Sequence, residues 1–301
     1  MITLLRLFLL CSLCVRRVLF VRSFSLAARV VALSLVALFV ANSASAPQEP
    51  KHYFLGFDRN DYPGDEAMKL LRHDFAFTGY WLGNPPGEKT NTWIGKRALL
   101  RSEGFGFLVL YRGRESSEVK TSGAAMDAGT VDAKNAATAA KSEGFGSDII
   151  IFLDIEEGGR LPTDYLVYLV TWFHEIQRAG YHPGVYCSGM PVEDAPRATI
   201  TTADNIRNFA KSPDITFWVF NDACPPSPGC STPQDPPAPS KSGIAYARVW
   251  QLVRSPRDKQ TARHCRGYTK DGNCYAALDS AHRFHLDVNS ATSPDPSSGA
   301  K

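Results

Sequence analysis

The chain has 301 residues, 44% of them hydrophobic and 21% charged, so wholesale disorder is excluded and the length suits one large domain or two modest ones. Charge is unevenly placed: residues 1–46 hold five Arg and no Asp, Glu or Lys, and the remainder has 28 basic against 30 acidic residues, so the overall +3 becomes −2 there. A near-neutral body without a Lys/Arg block argues against nucleic acid as a partner, because phosphate binding needs a concentrated basic face.

The first element is a leader. Val30 to Ala41 is a twelve-residue apolar core behind an Arg-rich stretch, and Ala44-Ser45-Ala46 supplies the small residues that signal peptidase accepts. This predicts residues 1–46 as an export signal cleaved after Ala46 and a mature protein secreted, periplasmic or held in the cell envelope. The competing reading is a retained membrane anchor. Both apolar runs, Ile2 to Val15 and Val30 to Ala41, are short of the roughly 20 residues that span a bilayer, so no stable membrane insertion is expected after cleavage.

In the body, residues 47–289, strand-like runs at Tyr53–Asp58, Phe77–Leu82, Phe107–Tyr111, Ile149–Ile155 and Gly184–Ser188 alternate with helix-like stretches. The clearest helix is Thr163–Ala179, apolar along one face, with Pro162 near its start and Gly180 placed to stop it; Ala133–Ser142 is a second. Ser-Glu-Gly-Phe-Gly occurs at 102–106 and 142–146, and Ala-Gly-Tyr at 179–181 takes the same place, as glycine-capped turns from a helix into the next strand. Further strands are predicted at Thr216–Asn221, Ala247–Leu252 and Phe284–Val288. Eight strands in this order predict an α/β fold, a (β/α)8 TIM-type barrel. Its second half is irregular, because residues 224–243 contain seven prolines and cannot form an ordinary helix. Residues 290–301 read as a disordered tail.

Cys224 and Cys230 bracket a proline-rich loop and Cys265 and Cys274 a glycine-containing one, so two local disulfides are expected in an oxidising compartment, with Cys187 left as a buried thiol. No spacing resembles a zinc site, and no cofactor is expected.

In such a barrel the chemistry stands at the C-terminal ends of the strands, and alternation decides which side chains face inward. Asp154 and Glu156 share a face with Ile150 and Phe152 at the end of the fourth strand, whereas Glu157 points away. Asp58 ends the first strand, and in the eighth His285, Asp287 and Asn289 share a face. Convergent carboxyls raise one another's pKa, which keeps a proton available on one as general acid while another stays ionised, as glycosidic bond cleavage requires. A divalent metal cradle is the other reading of four acids. Tyr80, Trp81, Tyr111, Tyr186 and Trp250 lie near strand ends and could stack on sugar rings, Trp250 beside Gln251 above all, with core packing as the alternative.

Gly-Phe-Asp at 56–58, Gly-Thr-Val-Asp-Ala at 129–133, Phe-Leu-Asp-Ile-Glu at 152–156, Gly-Val-Tyr at 184–186, Trp250-Gln251 and Asp287-Val288-Asn289 together resemble the exported glycoside-hydrolase-like domain known as domain of unknown function 1906, over roughly residues 53–289. That family is similar to the family 25 glycoside hydrolases, which are muramidases. The resemblance implies Glu156 as the acid that protonates the leaving sugar oxygen, Asp154 as the carboxylate that modulates it or orients water or an acetamido group, and Asp58 and Asp287 as the acidic floor. The Pro-rich 224–243 segment is foreign to a compact muramidase. The expected function is hydrolysis of amino-sugar polymers of the cell wall, peptidoglycan in particular. The alternative is a non-catalytic glycan-binding or structural envelope protein.

Overall fold

The computed structural model describes residues 52–222, 236–254, 267–268, 274–275 and 284–299. The leader and the Cys224–Cys230 and Cys265–Cys274 pairings lie outside the described residues.

The elements run β1 (Phe54–Asp58), α1 (Asp65–Leu71), β2 (Phe77–Trp81), α2 (Arg97–Ser102), β3 (Gly106–Arg112), α3 (Ser122–Ser142), β4 (Ile150–Asp154), α4 (Thr163–Arg178) and β5 (His182–Ser188). A small hairpin, β6 (Val192–Ala195) and β7 (Ala198–Ile200), precedes α5 (Thr202–Ala210), β8 (Thr216–Phe220) and β9 (Val249–Val253). A short pair, β10 (Gly267–Tyr268) and β11 (Cys274–Tyr275), precedes β12 (Asp287–Ala291). Eight strands close a barrel in the order β1-β12-β9-β8-β5-β4-β3-β2, so the chain is the TIM-type α/β barrel its strand spacing predicts.

The turns that feed β3 and β4 and the one before β5 repeat one device. Gly104, Gly144 and Gly180 take φ of 87°, 76° and 87°, left-handed backbone that favours glycine. The next residue returns its N–H five residues back, Phe105 to Leu100, Phe145 to Ala140 and Tyr181 to Ile176, at 3.0, 3.0 and 3.1 Å. Each is a Schellman stop that also buries an aromatic or tyrosyl ring against the sheet. The repeated pentapeptide is therefore a helix stop joined to a strand start.

Helices α3 and α4 pack closely because Gly129 has no side chain; an added Cβ would stand 2.8 Å from the Tyr168 carbonyl oxygen. One turn on, Asp132 takes a two-pronged ion pair from Arg114 at 2.8 and 3.0 Å and a hydrogen bond from the Tyr168 hydroxyl at 3.0 Å. The Tyr165 hydroxyl donates to the Arg114 carbonyl. The Gly-Thr-Val-Asp-Ala motif thus anchors the loop after β3 to two helices and contributes nothing to the barrel interior.

Two expectations need correction. The eighth barrel strand is residues 287–291, shifted from the predicted 284–288, and it runs antiparallel to both β1 and β9. A strand that runs antiparallel to its neighbours needs no helical crossover to pair with them. The other correction concerns the tail. Residues 290–299 are not disordered: after β12 they fold under the barrel, where the Phe107 N–H donates to Asp295 Oδ1, the Val109 N–H to Ser297 Oγ and the Ile150 N–H to the Ser297 carbonyl, at 2.9, 2.9 and 3.0 Å. Their polarity serves hydrogen bonds to the starts of β3 and β4 in place of solvation. Asp295 Oδ1 also accepts the Gly299 N–H at 3.0 Å, so Asp295→Ala strips two backbone donors of their partner. We expect a loss of about 1–3 kcal/mol, read as a lower urea midpoint with an unchanged slope.

Candidate active site

At the C-terminal mouth of the barrel is a cavity of about 560 Å³, within the usual range for a ligand pocket. Its walls follow strand alternation: Asp58 from β1, Trp81 from β2, Leu110 from β3, Asp154 from β4, Tyr186 and Ser188 from β5, Trp218 and Phe220 from β8, Gln251 from β9 and Asp287 from β12. Asn60, Glu156 and Arg254 line it from the segments beyond the strands. Antiparallel β12 reaches this mouth with its first residue, so Asp287 stands in register opposite Asp58. Gly79 makes room there, since a Cβ on it would lie 2.8 Å from the Cβ of Asp58.

All four predicted acids line the cavity, but they are not equally buried. Asp154 is the buried member, 4% exposed, while Glu156 stands exposed at the rim. The strand ends at Asp154, so Glu156 lies beyond it and the predicted shared strand face with Ile150 and Phe152 stops at Asp154. Phe152 packs edge-on against Trp218 deeper in the barrel. Glu157 turns away as alternation predicts and accepts the Ser116 N–H at 2.5 Å.

Hydrogen bonding sorts the acids. The Trp218 indole N–H, which can only donate, gives to Asn289 Oδ1 at 2.8 Å, so the Asn289 amide nitrogen faces and donates to Asp58 at 2.7 Å. In a parallel relay the Tyr186 hydroxyl donates to Gln251 Oε1 at 2.5 Å, and Gln251 Nε2 donates to Asp287 Oδ2 at 2.8 Å. Asp154 receives no such donor, and its Oδ2 is buried without a hydrogen-bond partner among the described residues.

Burial holds the Asp154 carboxyl well above the usual carboxylate range, with Glu156 and Asp58 adding like-charge repulsion and Arg112 pulling the other way. Asp58 is raised well above its ordinary value by burial and by Asp287, an effect the Asn289 amide offsets in part. Tyr186 is pushed up by burial and then by all four carboxylates, which places its hydroxyl among them as a permanent donor. A buried acid without a donor favours its neutral form, so Asp154 is a buried proton holder of this site. Among the described residues no group of three or more His, Cys, Asp or Glu side chains is placed to hold a metal ion.

The predicted sugar-binding residues divide by parity. Tyr186 and Gln251 line the cavity. Trp250, Tyr80 and Tyr111 do not. Trp250 is fully buried on the outer face of β9, donating its indole N–H to the Asn221 carbonyl at 2.9 Å. Tyr80 is packed among Trp93, Phe107 and Phe145 with its hydroxyl on Glu143. Tyr111 faces Asn135 and Asp132 of α3. The aromatics that do line the cavity are Trp81, Tyr186, Trp218 and Phe220. Trp218, Asn289 as the partner of Asp58, and Arg254 belong to the site as well, and no motif in the sequence assigns them a role there. His285 precedes β12 in left-handed backbone, φ 52°, and so does not share the strand face of Asp287.

The structure is thus a mostly parallel eight-stranded barrel with carboxyls clustered at its C-terminal mouth. The chain belongs to the Rv2525c-like family of glycoside hydrolase-like domains, whose family model matches residues 76–272. That segment carries Asp154, Glu156, Tyr186 and Gln251, while Asp58 and Asp287 fall on the closing strands to either side of it. No curated protein matches the sequence. Among solved structures the chain is similar to an uncharacterized protein of B. stearothermophilus, with 18% identity, 78% of this chain and 94% of that one covered, and a TM-score of 0.49. It is also similar to the Mycobacterium tuberculosis Tat-secreted protein Rv2525c, with 13% identity, 82% and 98% covered, and a TM-score of 0.46. The Clostridium perfringens spore cortex lytic enzyme SleM gives 13% identity, 82% and 70% covered, and a TM-score of 0.47.

Proposed function

We propose that this protein is an exported glycosidase that hydrolyses amino-sugar polymers of the cell wall, peptidoglycan foremost, by carboxylate acid/base catalysis. The observation that carries the reading is Asp154, buried and without a hydrogen-bond donor, two residues before rim-standing Glu156 in a cavity with two further acids. Export rests on the leader sequence, with its Ala44-Ser45-Ala46 cleavage pattern.

Glu156, at the rim, meets the glycosidic oxygen and gives it a proton as the bond to the anomeric carbon breaks. Asp154 in its neutral form offers an O–H to the cavity, which an N-acetyl carbonyl oxygen can accept, so that an amino sugar is held over the acids. Water adds to the anomeric carbon and returns a proton to Glu156, which restores the starting state. Asp58 and Asp287, each accepting from an amide donor, place carboxyl oxygens beneath the developing oxocarbenium ion. Trp81 and Trp218 give apolar faces for sugar rings.

The test is loss of turbidity of purified cell walls with the protein, followed by mass analysis of the fragments. Released saccharides with new reducing ends support the reading. Binding of wall material with no new reducing ends overturns it in favour of a non-catalytic envelope protein.

A further inference from the structure

Two amides sit side by side where β9 meets β12. The pairing of these strands slips by one residue, so that Val288 stands opposite Val253 but Asn289 opposite Gln251. On its other edge Asn289 pairs in register with Gly56, which shares a face of β1 with Asp58. Asn289 is fully buried, and a polar side chain in that position is costly unless its hydrogen bonds are made. Both ends of the amide are used: Oδ1 accepts the Trp218 indole N–H at 2.8 Å and Nδ2 donates to Asp58 Oδ2 at 2.7 Å. Turned over, the amide would set two N–H donors against each other, so Trp218 fixes its orientation. The Trp218 ring is itself held between Phe152 and Tyr186, with centroids 5.9 and 4.6 Å away.

Asp58 and Asp154 are both raised chiefly by burial, yet they meet different partners. Asp58 Oδ2 faces a fixed donor, which favours the carboxylate and leaves only Oδ1 for a proton. Asp154 Oδ2 is buried with no hydrogen-bond partner among the described residues. We propose that Asn289, oriented by Trp218, is a positioning residue that decides where these two acids keep a proton: Asp58 ionises first and Asp154 retains its own. The charged groups facing Asp58 are Asp287 from β12, Asp154 and Glu156 from the end of β4 and just beyond it, and the Tyr186 hydroxyl from β5, with Arg254 lining the same cavity past β9. Asp287 and Glu156 oppose ionisation of Asp58, and Asn289 favours it. Charge on Asp58 then holds the proton on Asp154, against the smaller pull of exposed Arg112. The two acids thus meet a substrate in opposite roles, Asp154 as donor and Asp58 as acceptor. That catalytic consequence rests on the glycosidase reading above, whereas the proton assignment does not.

The experiment follows the side-chain carboxyl carbons of labelled aspartate by 13C NMR from about pH 3 to about pH 9, with Asp58→Asn and Asp154→Asn identifying the two resonances. Each carboxyl is read separately because coupled acids titrate in shared steps. In the wild type Asp58 should lose its proton at lower pH than Asp154. Asn289→Leu keeps the bulk but removes the donor, and should raise the Asp58 midpoint by roughly one to two pH units, the worth of a hydrogen bond to a charged group. Trp218→Phe keeps a ring but frees the amide to turn, and should move it the same way by less. Circular dichroism and melting temperature report folding in both. On a glycan that the wild type cuts, the acidic limb of kcat/KM should move to higher pH by the same amounts, because the form with Asp58 ionised is reached later. Asp154 ionising first in the wild type, or an Asp58 midpoint that stays put in whichever of the two variants folds, overturns the proposal. A wild type that cuts no glycan overturns the glycosidase reading alone, since the carboxyl titration is read without turnover.

Discussion

Glu156→Gln should lower glycan hydrolysis by roughly 10²–10⁴-fold, the usual worth of general acid–base catalysis, with little change in stability or in glycan affinity. The amide keeps the size and polarity of the carboxyl but has no proton to give. Because Glu156 is exposed at the rim and past the end of β4, the substitution disturbs neither core packing nor the strand ladder. Steady-state rates of reducing-end release, measured beside a thermal melt, separate chemistry from folding. Full activity of Glu156→Gln on a glycan that the wild type cuts would remove Glu156 from the role of acid.

Asp154→Asn should move activity and stability in opposite directions. Burial raises the Asp154 pKa in the folded protein, so the native state keeps its proton to higher pH than the unfolded chain does. Stability contributed by that proton is present below the unfolded carboxylate value, near about 4, and is lost as pH rises through the raised native value; above it the full cost of a buried charge is felt. Asn bears no charge at any pH. The variant should therefore melt higher than wild type at neutral and alkaline pH, by about 2–4 °C for each kcal/mol relieved, and the two curves should converge below about pH 4. Turnover should fall at the same time, because the site loses the group that couples to Glu156. Equal melting temperatures for the two proteins across pH 4 to 9 would show that Asp154 is not a buried proton holder. Asp58→Asn tests the same logic on the opposite wall, where the Asn289 donor already offsets part of the cost, so its gain should be smaller.

Some of this molecule can be read along the chain because the physics is local. A glycine that must take positive φ marks a helix end wherever it falls, and Ser-Glu-Gly-Phe-Gly at 102–106 and 142–146 therefore announced two of the barrel's joints. The order of strands and helices and the same-face placement of Asp154 on β4 follow from period-two alternation, which needs no partner strand to be known. Alternation also separates Trp81 from Tyr80 and Gln251 from Trp250 once the inward parity of one strand is set by its acid. A groove position for Trp250 runs against that parity.

What the sequence by itself determined is the barrel class, the set of four acids and the glycine-capped joints, since each rests on spacing within one or two adjacent elements. The tertiary structure alone decided the direction of β12, the packing of 290–299 under the barrel, the burial of Asp154 in place of Glu156 and the two amide relays to Asp58 and Asp287. The physical reason is separation along the chain: Asn289 meets Asp58 from 231 residues away and Gln251 meets Asp287 from 36. Which carboxyl loses its water and which receives a donor is set by those closures, and no run of neighbouring residues encodes them.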